Sequence, residues 1–106
     1  MEICHYVTAS GKDPYQQWLD KLNDLRGRVA VQRRIDRLAG GNFGDHKFCR
    51  DGVWELRIDF GPGYRVYYAR DGATLVLLLC GGTKRAQSAA IKDAVECWKD
   101  YQRRKK

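Results

Sequence analysis

The chain has 106 residues, 43% hydrophobic and 31% charged, which fits one globular domain with a single modest core. Twenty Lys and Arg against thirteen Asp and Glu leave a net charge of +7, a balance that favours a polyanionic partner. No apolar run reaches the ~18 residues of a membrane span. The opening MEICHYVTAS lacks the basic start and apolar stretch of a secretory leader, so a cytoplasmic protein without a membrane partner is expected.

Glu2–Thr8 alternates loosely and predicts an opening strand. Asp13 then precedes Pro14, a helix N-cap followed by the residue best tolerated at the first helical position. Tyr15, Trp18, Leu19 and Leu22 recur at helical spacing behind them. A second helical run follows, with Leu25, Val29, Ile35 and Leu38 as its apolar stripe and Gly40–Gly41 as its stop. Together they predict a basic α-hairpin.

The rest reads as strands. His46–Arg50, Val53–Phe60 and Tyr64–Arg70 are separated by Asp51-Gly52 and Gly61-Pro62-Gly63, and Asp71-Gly72 closes the third. Thr74–Cys80 is apolar without alternation, which predicts a central strand covered on both faces. Gln87–Tyr101 predicts a closing helix with Ile91, Val95 and Trp98 on one face, and residues from about 102 to 106 a disordered basic tail. The order is β-α-α-β-β-β-β-α, an α+β fold in a single domain, residues 1–106.

Strand parity sorts the charges. Trp54, Leu56, Ile58 and Phe60 share one face with Val66 and Tyr68; Glu55, Arg57 and Asp59 share the other with Arg65 and Tyr67. Two arrangements satisfy that second face. Glu55 or Asp59 pairs with an arginine in a solvated, salt-bridged surface, or the arginines face a phosphate. After the apolar strand, CGGTKRAQ brings two glycines and then Lys84 and Arg85 to the start of the last helix, without the spacing of a P-loop. Cys4, Cys49, Cys80 and Cys97 are scattered, and the His5 and His46 neighbourhoods match no zinc-finger or ribbon spacing, so no metal or other cofactor is expected.

The run WELRIDFGPGYRVYY, followed by LVLLLCGGTKRAQ and IKDAVECWKDY, resembles the RelE/ParE superfamily of bacterial toxins, in its HigB-like, phage-associated addiction-module branch. The resemblance covers nearly the whole chain. It implies a RelE-like fold: a curved antiparallel sheet, an N-terminal α-hairpin and a C-terminal helix. It also implies a type II toxin that cuts mRNA on the ribosome without a metal, by attack of a ribose 2′-hydroxyl on the adjacent phosphate. Carried over by motif, Arg65 in GYR, Arg57 in ELR and Lys84 in GGTK are the implied catalytic cations. RelE has a tyrosine beyond the lysine and many close relatives an acidic residue where Ala90 stands; both are missing here, so Tyr67 and His46 are candidate proton carriers beside Lys84 as a candidate base, and the assignment stays open. Lys47, Arg50, Arg85, Arg33, Arg34 and Arg37 are expected to bind RNA or the ribosome. The implied partners are ribosome, mRNA and a cognate HigA-like antitoxin with a helix-turn-helix domain. Two rival readings are a ParE-like gyrase inhibitor and a decayed toxin that only binds its antitoxin.

Overall fold

In the computed structural model, which describes residues 1–105, the elements follow the expected order. They are β1 (Glu2–His5), α1 (Pro14–Asp20), α2 (Leu25–Ala39), β2 (His46–Arg50), β3 (Val53–Ile58), β4 (Tyr64–Asp71), β5 (Leu75–Thr83) and α3 (Gln87–Lys105), with one 3-10 turn at Lys84–Ala86. The five strands form one open sheet in the order β1-β5-β4-β3-β2. Three antiparallel ladders join β2 to β5, and β1 then adds parallel to β5, so the sheet is mixed rather than purely antiparallel. The apolar strand β5 is interior, as its two-sided hydrophobicity requires, but the middle position belongs to β4.

Both faces of this sheet are covered. On one, Tyr15 and Leu19 of α1 with Val31, Ile35 and Leu38 of α2 pack on Leu56, Ile58, Val66, Tyr68, Val76 and Leu78. On the other, Ala90, Ala94 and Val95 of α3 pack on Val53, Tyr67, Ala69, Leu77 and Leu79. The face that carries the charged residues is therefore partly roofed by α3, not left open. Sequence parity assigned the faces correctly, yet alternation along a strand says nothing about what lies on top of it.

The buried stripe of α2 is also phased differently from the expected one. Val31, Ile35 and Leu38 face the sheet, whereas Leu25 is 71% and Val29 44% exposed. β3 stops at Ile58 instead of Phe60, because Asp59 through Gly63 form the turn. At the far end, α3 runs through Arg103, Arg104 and Lys105, where a disordered tail was expected. Acidic partners hold it: Lys105 Nζ donates to both Asp71 oxygens at 2.6 and 2.8 Å, and Arg104 donates to Asp100 at 2.9 Å. Lys106 lies outside the described residues.

The glycines of the β5 exit serve packing. A side chain at Gly81 would run into the Trp18 ring of α1, and one at Gly82 would stand 3.5 Å from Ala90 Cβ. Gly81 thus lets the α1 layer close onto the sheet, while at Gly82 a Cβ would make only ordinary contact with α3.

Asp13 caps α1 as expected, accepting from Gln16 N–H at 3.0 Å. Asp24 does the same for α2 through Gly27 N–H at 3.0 Å, and it also accepts the Tyr64 hydroxyl at 2.9 Å. These bonds, the Gly27 amide first, hold the Asp24 carboxyl below its ordinary range. A depressed folded-state value contributes stability above the unfolded range, and that contribution is lost as pH falls through the folded value. Asp24→Ala is accordingly expected to melt at a lower temperature than the parent near neutral pH. Thermal melts should show the gap closing as pH falls through and below the ordinary carboxylate range; a gap of constant size across that range would contradict the linkage.

Candidate functional site

Arg57 and Arg65 are direct cross-strand partners in the β3–β4 ladder, so both side chains leave the same face. Like charges placed directly opposite repel. The neighbouring pair in that ladder, Glu55 and Tyr67, supplies the remedy. Glu55 is fully buried, the one charged residue of the described chain in that class. Its Oε1 accepts Arg57 Nε at 3.0 Å and its Oε2 accepts the Tyr67 hydroxyl at 3.3 Å and Gln87 Nε2, from the first turn of α3, at 2.7 Å. The Glu55 bond, above all, holds the Arg57 guanidinium in its charged form beyond the ordinary range.

Arg65 is placed differently. Its Nε lies 3.7 Å from Glu55 Oε1, too far for a hydrogen bond, and this buried nitrogen has no partner among the described residues. Its Nη1 makes one bond of 3.3 Å to the Tyr64 carbonyl. With 11% of its side chain exposed, Arg65 is a nearly buried cation whose donors are mostly unused. Lys84 joins it across the Gly63 turn. The Lys84 amide donates to the Gly63 carbonyl at 2.7 Å. A Cβ on Gly63 would meet Lys84 Cβ at 3.3 Å and Arg65 Nη1 at 3.7 Å, and Gly63 has φ of +81°, so glycine is needed there twice over. Three cations thus gather with the buried Glu55 at this end of the sheet, and the exposed Asp45 Oδ1 lies 3.8 Å from Arg57 Nη1 as a second carboxylate.

The remaining expected site residues are distributed around that group. Tyr67 is on the predicted face, but it is buried, and burial followed by the Glu55 charge pushes its phenol far above the ordinary range. It is a fixed donor to Glu55. His46 pairs with Leu56 and so points to the opposite face, its ring 5.5 Å from those of Phe43 and Trp54. Lys47 and Arg50 line a cleft of about 310 Å³ beside Gln87 and Ser88, and Arg85 is exposed in the 3-10 turn. Arg34 has a structural task instead: Nη2 donates to the carbonyls of Asp45 at 2.9 Å, Arg57 at 3.1 Å and Phe43 at 3.3 Å. Arg33 and Arg37 line a groove on the α2 side. Ala90, which stands where the resemblance implies an acid, is a buried residue of α3 that packs on the sheet near Gly82.

The sequence alone does not single out Glu55 as the organising group, and Gln87 has a place in the GGTKRAQ run but no role there. Parity put Glu55 on the right face, but its burial depends on α3.

With this geometry in hand, similarity becomes informative. Residues 17–97 match the family described as "Phage derived protein Gp49-like (DUF891)". The chain belongs to that family. It is a RelE-like, toxin-type family of addiction modules, which suggests an antitoxin partner. All of Glu55, Arg57, Arg65, Lys84 and Gln87 fall inside the matched span of this Gp49-like chain. A protein of Haemophilus influenzae, described only as an uncharacterized protein, is 51% identical over 80 residues, 76% of this chain and 81% of its own length. No helix among the described residues is long and apolar enough to cross a membrane.

Removing the anion while keeping both arginines isolates its role. Glu55→Ala is expected to lower unfolding free energy, because it removes the buried anion from beside Arg57 and Arg65 and leaves Tyr67 and Gln87 without their acceptor. Urea titration measures this. An unchanged midpoint would mean that the carboxylate does not hold the pair.

Proposed function

We propose that this Gp49-like chain is the toxin of a type II toxin–antitoxin pair, of the HigB-like branch, and that it is a ribosome-dependent, metal-independent mRNA endonuclease. The observation that supports this reading is Arg65: a nearly buried guanidinium with unused donors, beside a second guanidinium and a lysine. A group so placed fits an incoming phosphate, which a planar two-pronged donor binds well.

In the proposed reaction the ribose 2′-oxygen attacks the adjacent phosphorus. The O2′–P bond forms as the 2′-hydroxyl proton passes to solvent water, the P–O5′ bond breaks, and O5′ takes up a proton, so the products are a 2′,3′-cyclic phosphate and a 5′-hydroxyl. Negative charge grows on the phosphoryl oxygens between these events. Arg57 and Arg65, already held in place by Glu55 and the strand ladder, meet that charge without reorganising, and one such donor is worth ~3–4 kcal/mol. Tyr67 is tied to Glu55 and His46 faces away, so the proton carrier is Lys84, whose exposed ammonium donates to the departing O5′. Lys47, Arg50 and Arg85 contact phosphates of ribosomal RNA around this centre. The antitoxin is of the HigA-like, helix-turn-helix type, and the pair acts in the cytoplasm.

The test is a map of RNA 5′ ends across the transcriptome minutes after induction in bacteria, with Arg65→Ala as control. The expected result is new ends in register with codons, reduced about 10²–10³-fold in the variant. Growth arrest without new ends would replace the nuclease by a gyrase inhibitor. Neither arrest nor cleavage would leave an antitoxin-binding module.

A further inference from the structure

The misphased residues of α2 carry a second surface. Leu25 and Val29, together with Phe60 from the β3–β4 turn at 36% exposure, are large apolar groups left in solvent. They are not scattered: they floor one groove of about 770 Å³, between α2 and the end of β3. Its charged lining is Arg26, Arg33 and Arg37 on the α2 side, with Arg34 and Arg57 engaged elsewhere, and Asp45 and Asp59 on the β3 side, so cations outnumber carboxylates five to two. On the helix, Leu25, Val29, Arg33 and Arg37 are spaced by four residues, so they form one straight ridge, apolar in its first half and cationic in its second. The ridge is about 18 Å long at 1.5 Å per residue.

We propose that this groove is the docking site for an acidic amphipathic helix of a partner protein. Its matching stripe has two apolar residues one turn apart, followed along the same face by carboxylates opposite Arg33 and Arg37. An i±4 ridge is the surface that a second helix packs against. The apolar half excludes water from the contact, and the arginine half selects for negative charge and fixes direction. In a toxin–antitoxin pair this partner is the antitoxin; the assignment of the partner, though not of the surface, rests on the function proposed above.

Other occupants fit less well. Nucleic acid would use the arginines, but bases stack on planar groups, and Leu25, Val29, Ala30 and Ile58 offer aliphatic walls with Phe60 as the lone ring. A second copy of the chain would bring its own arginine ridge and a charge of +7 against the first. Position adds a consequence. Arg57 lines the inner end of this groove while it is bonded to Glu55 in the candidate centre. A helix seated here covers one side of Arg57 and restricts access to it.

The probe is a fluorescein-labelled synthetic helix with Leu, Leu, Glu and Glu at successive four-residue intervals, compared with a scrambled peptide and a U-rich RNA oligonucleotide. Anisotropy is expected to show specific peptide binding, weakened at least about tenfold by Leu25→Asp with Val29→Asp, and likewise by Arg33→Glu with Arg37→Glu. A peptide with Lys in place of Glu should restore binding to the second variant. Because these side chains lie on the surface, circular dichroism should match the parent. RNA binding and mRNA cleavage should be unaffected by the Leu25 and Val29 changes. Equal binding of peptide and scramble would overturn the proposal, as would RNA binding that depends on Leu25 and Val29. So would a parent dimer, seen in sedimentation, that the same changes dissociate. Absence of cleavage in every variant would count against the nuclease alone, since peptide binding is read independently.

Discussion

The buried ion pair between Glu55 and Arg57, with Arg65 close by, is the contact on which the candidate centre depends. Removing a carboxylate from water costs on the order of several kcal/mol, and attraction offsets this only when the remaining lone pairs are satisfied. Here three donors, from Arg57, Tyr67 and Gln87, complete the shell. Geometry then divides the two guanidiniums. Oε1 lies within bonding distance of Arg57 but 3.7 Å from Arg65 Nε, so one arginine is locked and the other retains a free donor. A sheet that merely needed neutral charge would satisfy both.

The same contact ties the centre to the rest of the fold. Gln87 reaches Glu55 only because β5 passes through Gly81 and Gly82, turns at Lys84–Ala86 and starts α3 over this face. That path also brings Lys84 against the Gly63 turn. From the opposite side, Arg34 of α2 binds the carbonyls of Arg57 and Asp45 and so fixes the backbone at the end of β3. The arginine side chain is therefore held through Glu55 from one layer and its backbone through Arg34 from the other. Core packing and placement of the cations are one problem with one solution.

How far the sequence discloses this depends on the range of each interaction. The strand positions of Arg57 and Arg65, their shared face and their proximity follow from period-two alternation and two glycine-bearing turns, all local. The caps at Asp13 and the hairpin turn at Asp51-Gly52 are local as well. Glu55 is different. Its burial requires a helix thirty residues away, and a Glu beside Arg in a strand has the same sequence signature whether it is covered or exposed. The α2 stripe held at Ile35 and Leu38 but failed in its first half, at Leu25 and Val29, for a related reason. Leu25 and Val31 are equally hydrophobic, and only the angle at which the helix lies on the sheet chooses between them. Its cap at Asp24, bonded to Tyr64, fixes that angle from β4.

The positive charge of the chain separates along the same lines. Arg34 is used internally, on carbonyls, and Arg104 and Lys105 meet acids that extend α3. Two groups of cations bear on the proposed functions, the Arg65–Lys84 corner and the Arg33–Arg37 ridge, with Arg57 adjoining both. The chemical surroundings of these two places differ. Around Arg65 the neighbours are polar and the cation is enclosed, which suits a small, highly charged group such as phosphate. Along α2 the cations are exposed and continuous with Leu25 and Val29, which suits an extended amphipathic surface. Net charge alone favours polyanions everywhere on this molecule; under the function proposed above, it is the apolar neighbours that separate a surface suited to protein from one suited to RNA.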